Sequence, residues 1–240
     1  MIVFAMGIVA GQFIQKYNVV PDVASKLRSG FTATTADGTE FKLEVRRLLV
    51  SQFEDTYDTE GDSRRLKELV ELRTGRTALL LIDVWAGHPN DGWKERTNQL
   101  IDSKIAPLIK TARDNGILVI HAPHDSEIAD AATPVAGEIV MKETLYPEET
   151  LELDRYLKER GITTVIFAGF ASNLCLLNRP VGLINVRRLG YETILLRDCT
   201  IAYETAETLE EEWTNKVIID LVEIQWGMTS TLSDLTNALL

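Results

Sequence analysis

The chain has 240 residues, of which 45% are hydrophobic and 25% are charged, and its formal net charge is −11 at pH 7. Such a composition belongs to the soluble globular class, with enough apolar material for one full core. The acidic balance repels phosphate groups, so we expect no nucleic-acid partner. The two cysteines, Cys175 and Cys199, show neither a disulfide framework nor Cys-x-x-Cys metal spacing, and we expect a cytoplasmic protein.

The chain begins with an apolar segment, residues 1–15, that contains two glycines at a four-residue spacing. A membrane-spanning helix needs about 20 apolar residues, and the segment lacks the basic start and cleavage site of a signal peptide. Three interpretations stay open: a packed or interfacial helix, a signal anchor, or a helix that dimerises through its glycines. Residues 34–75 are charged and mixed, and we interpret them as a linker with one or two short helices. The sequence therefore predicts an N-terminal extension over 1–75, membrane-associated if the anchor interpretation holds, and a domain over 76–240.

From residue 76 onward, short apolar runs alternate with longer helix-like segments. The runs have the length of buried strands and occupy residues 77–84, 117–123, 138–142, 163–169, 192–198 and 227–232. The helix-like segments occupy residues 94–114, 148–160, 174–189 and 204–225. Solid apolar strands that alternate with helices are typical of a parallel sheet covered on both faces. The sequence predicts an α/β domain, a three-layer Rossmann-like fold with a mostly parallel six-stranded sheet flanked by helices.

The residues that close these runs are the first candidates for chemistry, because ligands bind beyond the carboxyl ends of parallel strands. They are Asp83, His121, Lys142, Gly169 and Asp198. A carboxylate that leaves an apolar run is costly to bury unless it has a partner or a task. Neither a Gly-x-Gly-x-x-Gly motif nor a phosphate-binding Gly-x-x-x-x-Gly-Lys motif is present, so we expect no nucleotide cofactor.

Cys175 comes shortly after the fourth apolar run, near the start of the predicted helix 174–189. A helix start, a neighbouring ammonium and a neighbouring carboxylate together favour a reactive thiolate. A free cysteine taken alone is more often a small buried hydrophobe. With Asp83 and Lys142 expected at the same edge of the sheet, Cys175 is a candidate nucleophile, whereas we interpret Cys199 as structural.

The order of these segments resembles the isochorismatase-like cysteine hydrolases, a family that includes nicotinamidase and several ureido-amide hydrolases. The resemblance rests on "LLLIDVW", "EIVMKETLY", "VIFAGFASNLCL" and "GYETILLRDCT", and it covers none of the N-terminal third of the chain. It implies a catalytic triad of Asp83, Lys142 and Cys175. It also implies a cis peptide bond between Phe170 and Ala171, which directs the amides of Ala171 and Cys175 toward one oxyanion position.

Two stretches depart from the nicotinamidase pattern. Nicotinamidases carry an Asp-x-His metal site after the second strand, where this chain has "HAPHDSE". A metal site at His121, His124 and Asp125 stays open, but two histidines and a carboxylate specify a site only loosely, and we expect no metal or other cofactor. The stretch "DVWAGHPNDGW" places a histidine five residues after the aspartate. We therefore predict Trp85, His88 and His124 as substrate-pocket residues, with a capping or loop role open for His88.

These residues together predict a cysteine-dependent hydrolase that cleaves a C–N bond of a small amide or ureido compound through a thioester. The cysteine favours attack on an acyl carbon over the vinyl ether cleavage of isochorismatase itself. We expect a small-molecule amide substrate and a homo-oligomer. One alternative from another class stays open: a catalytically silent interaction domain of the same fold, membrane-tethered through residues 1–15.

Overall fold

The computed structural model describes most of the chain from residue 37 onward. The described ranges are 37–50, 64–88, 90–124, 126–141 and 147–240. The apolar segment 1–15, Asp125 and Lys142 lie outside these ranges, and what the sequence predicts for them stays a prediction. Within the described ranges, no helix combines the length and the apolar character that crossing a membrane requires.

The strands of the described ranges form a single eight-stranded sheet. They are β1 (Glu40–Leu49), β2 (Arg64–Arg73), β3 (Thr77–Ile82), β4 (Leu118–Ala122), β5 (Ile139–Val140), β6 (Thr164–Phe170), β7 (Glu192–Ile201) and β8 (Met228–Ser230). Their order in the sheet is β2-β1-β8-β7-β6-β3-β4-β5. Neighbouring strands from β8 to β5 are parallel, whereas β1 is antiparallel to both β2 and β8. The α/β class and the six predicted parallel strands are confirmed, and two further strands extend the sheet.

Helices cover both faces of the sheet. They are α1 (Asp91–Leu100), α2 (Ala106–Asp114), α3 (Glu148–Glu159), α4 (Cys175–Asn178), α5 (Leu183–Arg188), α6 (Trp213–Leu221) and α7 (Leu232–Ala238). A π-helical turn, Ile101–Ile105, joins α1 to α2, so the predicted helix 94–114 is continuous. The predicted helix 148–160 corresponds to α3. The predicted helix 204–225 begins only at Trp213, after a series of turns.

The core has two halves because alternate residues of a strand point to opposite faces of the sheet. In β3, Leu79 and Leu81 pack with α1 and α2, while Leu80 and Ile82 pack on the other face with α3 and α5. Every residue of β3 and β6 is buried. Burial on both faces explains why these two central strands are continuous apolar runs in the sequence.

The interpretation of residues 34–75 as a linker is wrong for β1 and β2, which form an antiparallel hairpin of two ten-residue strands. One face of the hairpin is apolar, and Phe41, Leu43 and Val45 are part of the core. The hairpin also carries charged side chains that pair across the two strands. These charges lower the mean hydropathy of the segment and obscure the alternation that marks a strand with one buried face.

The predicted helix 174–189 is two short helices, α4 and α5, because a proline interrupts it. The residue before a proline is disfavoured in helical conformation, and Arg179, before Pro180, has φ −55° and ψ 157°. Cys175 therefore begins a helix of only four residues. The helix dipole that the sequence analysis assigned to Cys175 is correspondingly small, since few peptide units contribute to it.

Candidate active site

A cleft of about 390 Å³ opens at the carboxyl ends of β3 and β6. Its lining combines two of the three predicted catalytic residues with several aromatic side chains. The lining residues are Asp83, Trp85, Gly87, His88, Trp93, Thr97, Phe170, Ala171, Leu174, Cys175 and Tyr203. The structure thus brings Asp83, Cys175 and both residues of the predicted cis peptide to one cleft.

Asp83 follows β3 directly and has a left-handed backbone with φ +50°, which non-glycine residues adopt uncommonly. Its amide donates to Ala122 O at 3.0 Å. The residue is only 3% exposed, and it lines the same cleft as Cys175. Burial raises the pKa of Asp83, while its interactions with Cys175 and Arg179 partly oppose that rise. A buried carboxylate with a raised pKa beside a thiol is well suited to proton transfer.

A close approach of β3 and β6 brings the two halves of the site together. Gly169 pairs with Ile82, the residue before Asp83. Gly169 has φ +114°, and a Cβ atom there would lie 2.0 Å from Ile82 O. Only glycine fits this position, which explains the glycine that precedes the corner carrying Cys175.

The chain turns after β6 so that Cys175 faces the cleft. The peptide bond between Phe170 and Ala171 is cis, as the family resemblance implies. The amides of Leu174 and Leu176 donate to Ala171 O at 3.0 and 3.2 Å, which closes the corner around Cys175. Cys175 is half-buried and lines the cleft, so a ligand in the cleft can reach its thiol.

Arg179 is a residue of the site that the sequence analysis missed. Its Nη1 donates to Asp83 Oδ1 at 2.7 Å and to Ala122 O at 2.8 Å, and its Nη2 donates to Glu149 Oε1 at 2.9 Å. Glu149, in the first turn of α3, is fully buried, and Arg179 is 7% exposed. The arginine therefore connects two buried carboxylates and orients one of them. Its position four residues after Cys175 was the available signal, since residues at that spacing lie on one face of a helix.

Aromatic rings form one wall of the cleft. Trp93 and Tyr203 stack with ring centroids 3.8 Å apart, and Phe170 meets Trp93 edge-on at 6.2 Å. Trp85 lies nearly parallel to His88, with centroids 6.1 Å apart. Trp85 and His88 line the cleft as the sequence predicts, and Trp93 and Tyr203 line it too although no sequence signal pointed to them. These two come from α1 and from the loop after β7, whose meeting depends on tertiary packing.

The two histidines considered for a metal site have separate surroundings. His121 is buried, burial lowers its pKa, and its Nε2 lies 2.9 Å from Glu138 Oε2. Burial alone would raise the pKa of Glu138, but hydrogen bonds from Arg113, a backbone amide and His121 lower it to about 2. His124 is exposed, and its ring meets Trp85 edge-on at 6.4 Å beside the cleft. No three potential metal-ligand side chains converge within the described part of the chain.

Asp198, the last of the strand-end candidates, and Cys199, the second cysteine, make contacts that stabilise the fold. Asp198 accepts hydrogen bonds from Lys104 Nζ and from the amide of Leu232, both at 2.9 Å. Cys199 is fully buried in the core. Burial raises the pKa of its thiol far above the ordinary range, so the group stays protonated and unreactive.

The comparison with protein families defines the class of this protein. Residues 77–215, more than half of the chain, match the family model described as the isochorismatase domain. The chain belongs to the isochorismatase family.

Two curated relatives illustrate the range of that family. YrdC of Bacillus subtilis, named as an uncharacterized isochorismatase family protein, is 26% identical over 145 residues, which cover 53% of this chain and 75% of YrdC. The ureidoacrylate amidohydrolase RutB of Azorhizobium caulinodans is 28% identical over 156 residues, which cover 65% of this chain and 63% of RutB. The chain thus spans less than two thirds of that RutB.

Solved structures agree on the fold. A cysteine hydrolase from Pseudomonas syringae superposes with a TM-score of 0.60 at 16% identity, over 70% of this chain and 94% of that chain. An isochorismatase family protein from Burkholderia thailandensis gives a TM-score of 0.54 at 18% identity, over 69% of this chain and 96% of that chain. At these identities the likeness is one of fold.

Proposed function

We propose that the protein hydrolyses a C–N bond of a small amide or ureido compound with Cys175 as the nucleophile. The observation that carries the proposal is that the buried Asp83 carboxylate and Cys175 line one open cleft, close enough for Cys175 to act on the pKa of Asp83. A carboxylate in that position accepts the thiol proton, and its raised pKa favours holding the proton until the leaving group takes it. Membership of the isochorismatase family supports this assignment.

The first half of the proposed reaction forms a thioester. Asp83 takes the proton of Cys175, and the sulfur attacks the carbonyl carbon while the carbonyl electron pair moves to oxygen. The amides of Ala171 and Cys175 hold the resulting oxyanion. The carbonyl then re-forms as the C–N bond breaks, and the proton on Asp83 passes to the nitrogen, which leaves as ammonia or an amine.

The second half regenerates the thiol. Asp83, again a carboxylate, accepts a proton from water as the water oxygen attacks the thioester carbon. Collapse of the second tetrahedral intermediate breaks the C–S bond and releases a carboxylic or carbamic acid. Asp83 returns the proton to Cys175, so one water molecule is consumed in each turnover.

Lys142 completes the proposed triad on the strength of the family resemblance of "EIVMKETLY", since the residue lies outside the described ranges. An ammonium beside the thiolate would stabilise it, and a second cation near Asp83 would help to keep that carboxylate ionised. Arg179 already supplies one such cation from within the core. Its bond to Asp83 makes it a positioning residue of the proposed site.

The names of relatives and the aromatic lining of the cleft support a small substrate. The RutB relatives are named for hydrolysis of ureidoacrylate, a small ureido compound. The aromatic walls of the cleft also suit a flat molecule. A cytoplasmic homo-oligomer stays a prediction from the sequence.

Ammonia release from a panel of carboxamides, ureido acids and biuret-like compounds tests the proposal with the full chain. Cys175→Ser should lower turnover about 10³-fold or more while leaving the unfolding temperature unchanged. Cys199→Ser is the matched control and should retain activity, because Cys199 is buried in the core and is not among the residues that line the cleft.

Other outcomes of these experiments would contradict the proposed mechanism. A Cys175→Ser variant within about tenfold of the parent would remove Cys175 from the mechanism. If no compound releases ammonia and iodoacetamide labels Cys175 no faster than Cys199, the silent interaction domain is the better description. Activity should survive EDTA. Loss on chelation, with recovery on adding zinc, iron or manganese, would instead place a metal at His121, His124 and Asp125.

A further inference from the structure

Tyr203 is held in the cleft at three parts of the residue: its backbone, its ring and its hydroxyl. Its backbone amide donates to Asn173 Oδ1 at 3.0 Å, and its carbonyl accepts from Asn173 Nδ2 at 3.1 Å. Its ring stacks on Trp93 with an interplanar angle of 12°. Its hydroxyl oxygen lies 2.5 Å from His88 Nε2. A side chain fixed at backbone, ring and hydroxyl has its polar atom positioned before any ligand arrives.

The direction of the bond between Tyr203 and His88 follows from a second contact of the histidine. His88 Nδ1 accepts a hydrogen bond from the amide of Asn90 at 3.2 Å, so Nδ1 carries no proton. In a neutral imidazole the proton then resides on Nε2, which must be the donor to the Tyr203 oxygen. The hydroxyl proton of Tyr203 is consequently directed elsewhere and can be donated to a ligand.

That hydroxyl belongs to the same cleft as the proposed nucleophile. Tyr203 and Cys175 both line the cleft, and Asn173, which fixes the Tyr203 backbone, is two residues before Cys175 on the same corner. Burial raises the pKa of Tyr203, and the nearby charges of Cys175 and Asp83 raise it further. The phenol therefore keeps its proton at neutral pH.

We infer that Tyr203, oriented by His88, is the specificity-determining donor of the cleft, and that it bonds a hydrogen-bond acceptor that a flat substrate carries away from its scissile carbonyl. The inference rests on the proposed function for the identity of the scissile group. The Tyr203 ring has one face stacked on the buried Trp93, and its other face provides the surface for the flat part of the substrate. The Tyr203 hydroxyl, at the edge of that surface, recognises a ring nitrogen, carbonyl oxygen or carboxylate.

Calorimetric binding of four probes tests the inference in the full chain carrying Cys175→Ser, which prevents turnover. The probes are benzamide, which has no ring acceptor, and picolinamide, nicotinamide and isonicotinamide, which place one nitrogen at each ring position. At least one pyridine amide should bind about fivefold more tightly than benzamide, the affinity contributed by one neutral hydrogen bond. Adding Tyr203→Phe should bring that ratio to about one while benzamide affinity stays unchanged.

Two further variants make the result specific. Tyr156→Phe removes a hydroxyl bonded to Glu152 on α3, outside the cleft lining, and should leave the preference intact. His88→Ala frees the Tyr203 hydroxyl to rotate and should reduce the preference without abolishing benzamide binding. Absence of any preference in the parent, a preference that survives Tyr203→Phe, or failure of all four probes to bind at millimolar concentration would each overturn the inference. Because binding is measured without turnover, these outcomes are separate from the test of Cys175 as nucleophile.

Discussion

Replacing Arg179 with methionine should destabilise the protein by about 3–5 kcal/mol, the usual cost of breaking a buried ion pair. Arg179 donates three hydrogen bonds of 2.7, 2.8 and 2.9 Å, two of them to carboxylates. At about 1.5–3 kcal/mol for each charge-assisted bond, the three contribute about 5–9 kcal/mol. Desolvation of the guanidinium offsets part of that gain. The expected net loss corresponds to a fall of roughly 10 °C in Tm for a chain of this size.

The loss of stability that Arg179→Met causes should increase as pH rises. Burial raises the folded-state pKa of Asp83, so the folded protein binds more protons than the unfolded chain between the two pKa values. Stability therefore falls as pH rises through that interval. Without Arg179 the folded-state pKa of Asp83 rises further, and the interval widens toward neutral pH. The variant should lie closer to the parent at pH 5 than at pH 8.

Urea unfolding at both pH values, followed by tryptophan fluorescence, measures these free energies. The control variant Arg155→Met removes an exposed ion pair with Glu159 and should cost less than about 1 kcal/mol. Adding Glu149→Gln to Arg179→Met should recover part of the loss, because it removes a second buried charge. A loss below about 1 kcal/mol, or an equal loss at both pH values, would refute the reasoning.

Three other predictions address the strand ends. Gly169→Ala should lower the free energy of unfolding by about 3 kcal/mol or more and abolish activity, because its Cβ would lie 2.0 Å from Ile82 O. Thermal unfolding measures the loss, and an unchanged Tm would contradict the prediction. Lys142→Ala should move the pH profile of Cys175 alkylation up by about one unit, and an unmoved profile would place the lysine elsewhere. The folded protein lowers the pKa of Glu138 from 4.5 to about 2, so the ionised carboxylate stabilises the fold above that interval. Glu138→Gln should therefore lower the free energy of unfolding by about 1–2 kcal/mol at pH 7, and by progressively less as pH falls from 4.5 toward 2. A difference in the free energy of unfolding between parent and variant that stays constant across that pH range would contradict the ion-pair explanation.

The central strands could be predicted from the sequence because burial on both faces leaves continuous apolar runs, as in β3 and β6. The hairpin could not be recognised in the same way, since β2 is mostly exposed and rich in charge. The alternation of Phe41, Leu43 and Val45 with charged residues was a usable strand signal that the surrounding charges obscured.

The candidate site was only partly predictable for a related reason. Asp83 and Cys175 close or follow apolar runs, so their position at the sheet edge follows from strand order. Arg179 meets Asp83 across 96 residues of chain, and Tyr203 meets His88 across 115 residues. Such contacts depend on how a broken helix and a loop pack onto the sheet, which no local pattern of residue types specifies.

The place of the hairpin in the sheet has a consequence for synthesis of the chain. Although β1 and β2 precede every other described strand, β1 pairs with β8, and Ser230 Oγ donates to Glu44 O across 186 residues. At about 5–20 residues per second, a ribosome needs about 10 to 40 s to deliver the partner strand. A hairpin itself forms within microseconds. The apolar face of β1 therefore leaves the ribosome early, and β1 stays without its neighbour β8 in the sheet until translation has passed residue 230.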